Sequence, residues 1–280
     1  MIINDNDLKK IFKNRIIQEN NCNANSEVFL YNNEILKIFL NNQKMIDHNL
    51  SVIKQLFDNY FELISIKELV LPKEYIFYNN KIVGYSMPYI NGLSLHEIIE
   101  NNSLYTSYMR LIFIRLLNMI ENIKTSPFNF YIGDMHEKNI IVDKHLNPYI
   151  IDCDSFIINN NKLKINNTTI IGKYPNQYFN NDELKKINIS SDYFCLFSII
   201  LNYSFKDIIN YNNKPVEFIK NNSQFKSLNY IIERLNNIND FYITEDDINN
   251  IFKLKYNLKY KFNNNDEKII KKELKRIRKI

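Results

Sequence analysis

The chain has 280 residues, enough for one large domain or two small parts sharing a cleft, and its 45% hydrophobic content, with 19 Phe and 19 Tyr, supplies a full core. Disorder is therefore not expected. A formal net charge of +5 favours solubility and weak attraction to anions, and without a dense basic patch interleaved with aromatics it argues against a specific nucleic-acid partner.

In chain order, residues 5–20 carry apolar positions at helical spacing among charges, and an asparagine-rich run follows at 20–25. Strand-like runs at 27–31 and 34–40 flank Asn32 and Asn33, a pair that tolerates the positive φ of a tight hairpin. Across 43–60, Met45, Ile46, Leu50, Ile53, Leu56 and Phe57 mark one face of a helix. A second hairpin is expected from 74–78 and 81–87 around Asn79 and Asn80. Beyond Gly92 the pattern turns helical at 95–100 and 104–123. It is interrupted by a short hairpin of 140–142 and 149–151 turning around Asn147 and Pro148, and is nearly all helical from Asp192 onward. A small β-rich part thus precedes a larger helical one, with the boundary near residue 90.

Cys22, Cys153 and Cys195 are scattered, with no CxxC pair and no disulfide framework. The first ten residues mix Asp, Asn and Lys, unlike a signal peptide, and the longest apolar run, 194–201, is too short to cross a bilayer. No transmembrane segment and a reducing cytoplasm are the expectation.

The chemistry is concentrated in YIGDMHEKNIIVD at 131–143 and IIDCDSF at 150–156. Asn139 stands just before one expected strand and Asp152 just after the next. In an antiparallel hairpin those positions meet at one end. An amide oxygen and a carboxylate there suit a hard cation such as Mg²⁺, which takes a few protein oxygens and otherwise phosphate oxygens and water. Asp134 lies in the loop leading in. Phosphoryl transfer needs such a set: groups that position and neutralise the phosphates, and a carboxylate that orients the acceptor hydroxyl.

Asp134-x4-Asn139 followed by Asp152 resembles the catalytic loop and metal-binding Asp of protein kinases, and the Gly-Asp-x-His form resembles bacterial kinase-like proteins in particular. The resemblance implies an α+β, two-lobed protein kinase-like fold. Its β-rich, nucleotide-binding N-lobe would span 1–90 with one helix, and its helical C-lobe 91–280. It makes Asp134 the catalytic base or orienter, Asn139 and Asp152 the Mg²⁺ ligands, and Lys37 the strand lysine on the nucleotide α/β-phosphates. Met87, Pro88 and Ile90 fall in the adenine-binding hinge, where backbone groups bind the base. Asp192, opening the 191–201 helix, would receive backbone N–H groups of the catalytic loop. His136 would pack near the transferred phosphate or serve as hydrogen-bonded scaffold. Asp154 would touch a second metal ion or shape the turn after Asp152.

Departures accompany the resemblance. The four glycines are Gly84, Gly92, Gly133 and Gly172, so none lies where a phosphate-covering loop belongs, and Asn23 to Ser26 is the expected substitute. No glutamate is placed to pair with Lys37; the helical register puts Asn49 there, with Asp47 close by. Gly133 replaces the arginine that reads a phosphorylated activation loop, and the GKYPNQYF segment at 172–179 lacks the Ala-Pro-Glu signature. The basic 267–280 stretch is expected as a solvated helix. The leading expectation is an ATP·Mg²⁺-dependent protein serine/threonine kinase. The alternatives are a small-molecule kinase of the aminoglycoside/choline type, or a pseudokinase binding module.

Overall fold

The computed structural model describes residues 1–13, 26–40, 43–127, 130–158, 189–205, 219, 221–235 and 240–261. Cys22, the asparagine run at 20–25, the 172–179 segment and the basic stretch at 267–280 lie outside the described residues.

Two asparagine pairs shape the first part. Strand β1 (Ser26–Tyr31) joins β2 (Glu34–Phe39) through Asn32 and Asn33 at φ 51° and 62°. Strand β3 (Glu74–Tyr78) joins β4 (Lys81–Pro88) through Asn79 and Asn80 at φ 49° and 59°. Two successive left-handed residues make the hairpin turn whose twist matches its strands, and asparagine adopts that conformation at low cost. β2 then pairs with β4, giving the antiparallel order β1-β2-β4-β3.

Side chains alternate across this sheet. On the outer face Phe29, Leu36 and Ile76 meet Ile11 of helix α1 (Asp5–Lys13), and Phe12 stands edge-on to Phe29 at 5.3 Å. On the inner face Ile35, Phe39, Tyr85 and Met87 join the main core with Val52, Ile53 and Leu56 of α2 (Gln43–Asp58). The spacing continues this helix to residue 60; instead it stops at Asp58 and a one-turn helix α3 (Tyr60–Leu63) follows.

The second part starts with β5 (Gly92–Ser94). Gly92 pairs with Asp143, and a Cβ on it would lie 2.2 Å from the Val142 carbonyl oxygen. Ser94 caps α4 (Leu95–Glu100) in a reciprocal box, accepting from the Glu97 N–H at 3.1 Å while Glu97 accepts from the Ser94 N–H at 2.8 Å. Helix α5 (Thr106–Thr125) begins two residues later than expected and leads to β6 (Phe130–Tyr131).

The hairpin of β7 (Ile140–Asp143) and β8 (Pro148–Ile150) turns earlier than the sequence implies, because Pro148 is already in the strand opposite Val142. The Asp143 carboxylate accepts the N–H groups of His145 at 2.8 Å and Asn147 at 2.9 Å, and Leu146 takes φ 63°, closing the turn ahead of the proline. At the first position of a strand the missing N–H costs little. The short β9 (Ile157–Ile158) pairs with β6.

Helix α6 (Ile189–Phe205) is buried around nearly its whole circumference, as a helix apolar on all sides must be. Phe113 of α5 packs on Tyr203 of α6 and on Phe252 of α8 (Glu245–Lys261), and α7 (Asn229–Arg234) lies between α6 and α8 in sequence. The chain is thus mixed α+β, a small antiparallel sheet region followed by a larger helical part. A backbone link joins them: the Val70 N–H donates to the Ile150 carbonyl at 2.9 Å, and the Ile150 N–H to the Glu68 carbonyl at 2.8 Å. Among the described residues no helix is long and apolar enough to cross a membrane.

Candidate functional site

The β7–β8 register sets Ile140 opposite Ile150, and the Ile151 N–H donates to the Asn139 carbonyl at 3.0 Å. Asn139 and Asp152 therefore occupy the same end of the hairpin. The Asn139 side-chain nitrogen lies 3.1 Å from the Asp134 carbonyl oxygen and 3.5 Å from Asp152 Oδ2. Both neighbours only accept, which fixes that arm of the amide as the NH₂ and turns its oxygen to the other side.

The loop before Asn139 is tied down at several points. Gly133 takes φ 76°, and a Cβ on it would stand 2.7 Å from the Ser155 carbonyl oxygen, so no other residue fits without displacing backbone. An arginine at this position is excluded on the same ground. Asp192 of α6, 1% exposed, accepts the Ile132 N–H at 2.9 Å and the Gly133 N–H at 3.2 Å. Burial pushes its carboxyl up to about 7, against the opposite pull of those two N–H groups. Ser155 Oγ donates to the Asp152 carbonyl at 2.7 Å and lies 3.3 Å from the Ile132 carbonyl, stitching the loop to the residues after β8. Further along, buried Glu137 accepts from Asn202 of α6 at 3.0 Å.

Lys37 reaches this place from the sheet. It lies on the inner face of β2, opposite Tyr85, and is 8% exposed. Its ammonium donates to Asp152 Oδ1 and, at 2.6 Å, to Asp154 Oδ1. Burial alone would lower the Lys37 pKa; the two carboxylates reverse this and hold the ammonium charged. For Asp152, burial acts to raise the pKa and Lys37 overrides it, keeping the carboxylate below its ordinary range. Asp154 is pushed up, by burial first, with Lys37 opposing.

Lys37, Asn139 and Asp152 are thus brought together, with Asp134 one hydrogen bond away through the Asn139 amide. His136 Nε2 lies 3.7 Å from Asp134 Oδ2, and its Nδ1 accepts the Lys138 N–H at 3.2 Å, so the ring's proton sits on Nε2 toward Asp134. Met87 shares the inner face with Tyr85, opposite Ile35, at the end of β4. Pro88 closes that strand, and partly buried Ile90, between β4 and β5 in sequence, packs against the main core.

Asp154 gains a partner that sequence reasoning did not give it. Its Oδ1 holds Lys37 and its Oδ2 accepts from Asn49 of α2 at 3.0 Å. Asp47 is exposed on α2, and the acids on Lys37 are Asp152 and Asp154. The signal available was the i, i+2 spacing of the aspartates, which the 3₁₀ turn Cys153–Ser155 folds back onto one point.

One ammonium against two carboxylates leaves the cluster anionic and receptive to a cation. Among the described residues no group of three or more His, Cys, Asp or Glu gathers around a metal position. The donor set that is present, one carboxylate and one amide oxygen, suits Mg²⁺ supplied with phosphate oxygens and water rather than caged by protein.

No family model matches the chain. A DNA-directed RNA polymerase subunit beta from Plasmodium falciparum (isolate 3D7) is 32% identical over 145 residues, which is 48% of this chain and 14% of that protein. The chain thus spans about one seventh of the relative's length, and the similarity assigns no role to any residue of the cluster.

Proposed function

We propose that the chain is an ATP·Mg²⁺-dependent phosphotransferase with the two-lobed, protein kinase-like arrangement, acting on an alcohol and foremost on a protein serine or threonine hydroxyl. The observation that carries this reading is the meeting of Lys37 from the sheet with Asn139 and Asp152 from the hairpin end, beside Asp134. Lys37 serves the α/β-phosphates. Asn139 and Asp152 would hold Mg²⁺, which neutralises charge on the phosphate oxygens. Asp134 orients the acceptor hydroxyl and takes its proton as the new O–P bond to the γ-phosphorus forms and the bond to the ADP oxygen breaks. Met87, Pro88 and Ile90 border the adenine. Cys153 and Cys195, both buried free thiols, suit the reducing cytoplasm in which this reading places the protein. No nucleic acid enters it.

A second reading shares the chemistry and changes the acceptor to a small metabolite, as in kinases of the aminoglycoside/choline type. The His136 ring beside Asp134 favours it.

The test is transfer of labelled γ-phosphate from ATP in Mg²⁺ to the protein itself, to a generic protein substrate and to a panel of amino-alcohols. Asp134→Asn is expected to slow transfer about 10²–10⁴-fold with nucleotide still bound. Asp152→Asn is expected to abolish Mg²⁺-dependent binding. Transfer that survives Asp152→Asn would overturn the proposal; binding without any transfer would make the chain a pseudokinase.

A further inference from the structure

We propose that Asp154 is the residue that positions Lys37 on the nucleotide phosphates, taking the place of a helix-borne carboxylate, with α2 contributing only the neutral amide of Asn49. This rests on the phosphotransferase reading above. Three observations support it. Lys37 Nζ lies 2.6 Å from Asp154 Oδ1, and the second oxygen of the same carboxylate is held at 3.0 Å by Asn49 Nδ2. Both Asp154 and Asn49 are buried, at 9% and 6% exposure, whereas the Asp152 side chain is 30% exposed. Only one of the two carboxylates on Lys37 is thus open to an incoming cation.

The asymmetry assigns the work. In the nucleotide-free chain the Lys37 ammonium is shared between both aspartates. A cation and phosphate arriving at the open side engage Asp152, whose oxygens then face the metal. The ammonium must turn toward the phosphates without losing all anionic support, and Asp154 is the buried carboxylate still bonded to it. Charge-assisted bonds of this kind fix direction as well as distance. Asn49 locks the Asp154 rotamer by occupying its other oxygen. Because an amide gives α2 no charge in the cluster, displacing α2 would loosen Asp154 but would not strip Lys37 of its counter-ion. Lys37 is thus positioned from across the charged cluster, by the segment that also carries Asp152.

A double-mutant cycle on Lys37→Met and Asp154→Asn tests this, read by equilibrium binding of a fluorescent ATP analogue with Mg²⁺, so that turnover is not required. Each single change is expected to weaken binding on the order of 10-fold, and the double variant to bind no more weakly than Lys37→Met alone. Asn49→Ala is expected to act in the same direction by a few-fold, and to add nothing once Asp154 is replaced. Losses that multiply in the double variant, or wild-type binding by Asp154→Asn, overturn the proposal.

A second arm needs no nucleotide. Acylation of Lys37 by an amine-reactive ester, followed by mass spectrometry, should stay slow in Asp152→Asn and become at least 10-fold faster in Asp152→Asn/Asp154→Asn. Equal rates overturn the role of Asp154. Wild-type protein that binds no Mg·ATP overturns the nucleotide reading instead, and the labelling still decides whether Asp154 holds the ammonium.

Discussion

Replacing Asp192 by alanine removes the carboxylate that accepts two buried N–H groups, those of Ile132 at 2.9 Å and Gly133 at 3.2 Å. Each buried donor left without a partner costs about 1–3 kcal/mol, so the gross loss is about 2–6 kcal/mol. Part of this is offset because the variant no longer desolvates a carboxyl group. A net destabilisation of about 3 kcal/mol is expected. Urea unfolding should show the midpoint falling with the slope unchanged, since the surface exposed on unfolding hardly alters. Amide hydrogen exchange localises the effect: the Ile132 and Gly133 amides should lose protection beyond the global drop, as the loop opens on its own. A midpoint shift worth less than about 0.5 kcal/mol, or unchanged exchange at those two amides, would refute the claim that Asp192 anchors the loop.

Three further outcomes follow from the same geometry. The Asp192 carboxyl titrates near 7 in the folded chain, raised by burial, and near 4 when unfolded, so between those values the unfolded chain has released a proton that the folded chain keeps. Stability then falls as pH rises from about 4 to about 7, by up to about 1.4 kcal/mol per pH unit, and levels off above; the gap between wild type and Asp192→Asn, measured by denaturant titration, should shrink over that window. Gly133→Ala must hold φ 76° and clear a carbonyl oxygen 2.7 Å from its new methyl, which should lower stability by about 2–4 kcal/mol; a melting temperature equal to wild type would contradict the geometry. Lys37→Met leaves Asp152 and Asp154 facing each other without a cation, a loss of about 3–5 kcal/mol at neutral pH. Their carboxyls then titrate above the unfolded value, so the loss should ease at pH 5 relative to pH 8 in chemical denaturation.

The hairpins were legible because asparagine pairs between apolar runs have a local reason to turn, and Asn32, Asn33, Asn79 and Asn80 all take the left-handed geometry. The approach of Asn139 to Asp152 was legible for a different reason. It requires only that two adjacent strands pair antiparallel, and it survives the misplacement of the turn at Pro148. The partner of Lys37 was not legible. Periodicity does turn Asn49 of α2 inward, but it carries no trace of the 3₁₀ turn that brings Asp154 back over Asp152. A glycine that turns a chain and one that, like Gly92, admits a neighbouring carbonyl look alike in sequence.

The pair of backbone bonds between Val70, Glu68 and Ile150 has a mechanical consequence. Ile150 stands two residues before Asp152, so the segment behind α2 and the strand carrying the acid move as one piece. In the two-lobed arrangement proposed above, a displacement of the sheet would carry Lys37 on β2 while Asp152 stays with the hairpin, and the separation of those two charges would gauge it.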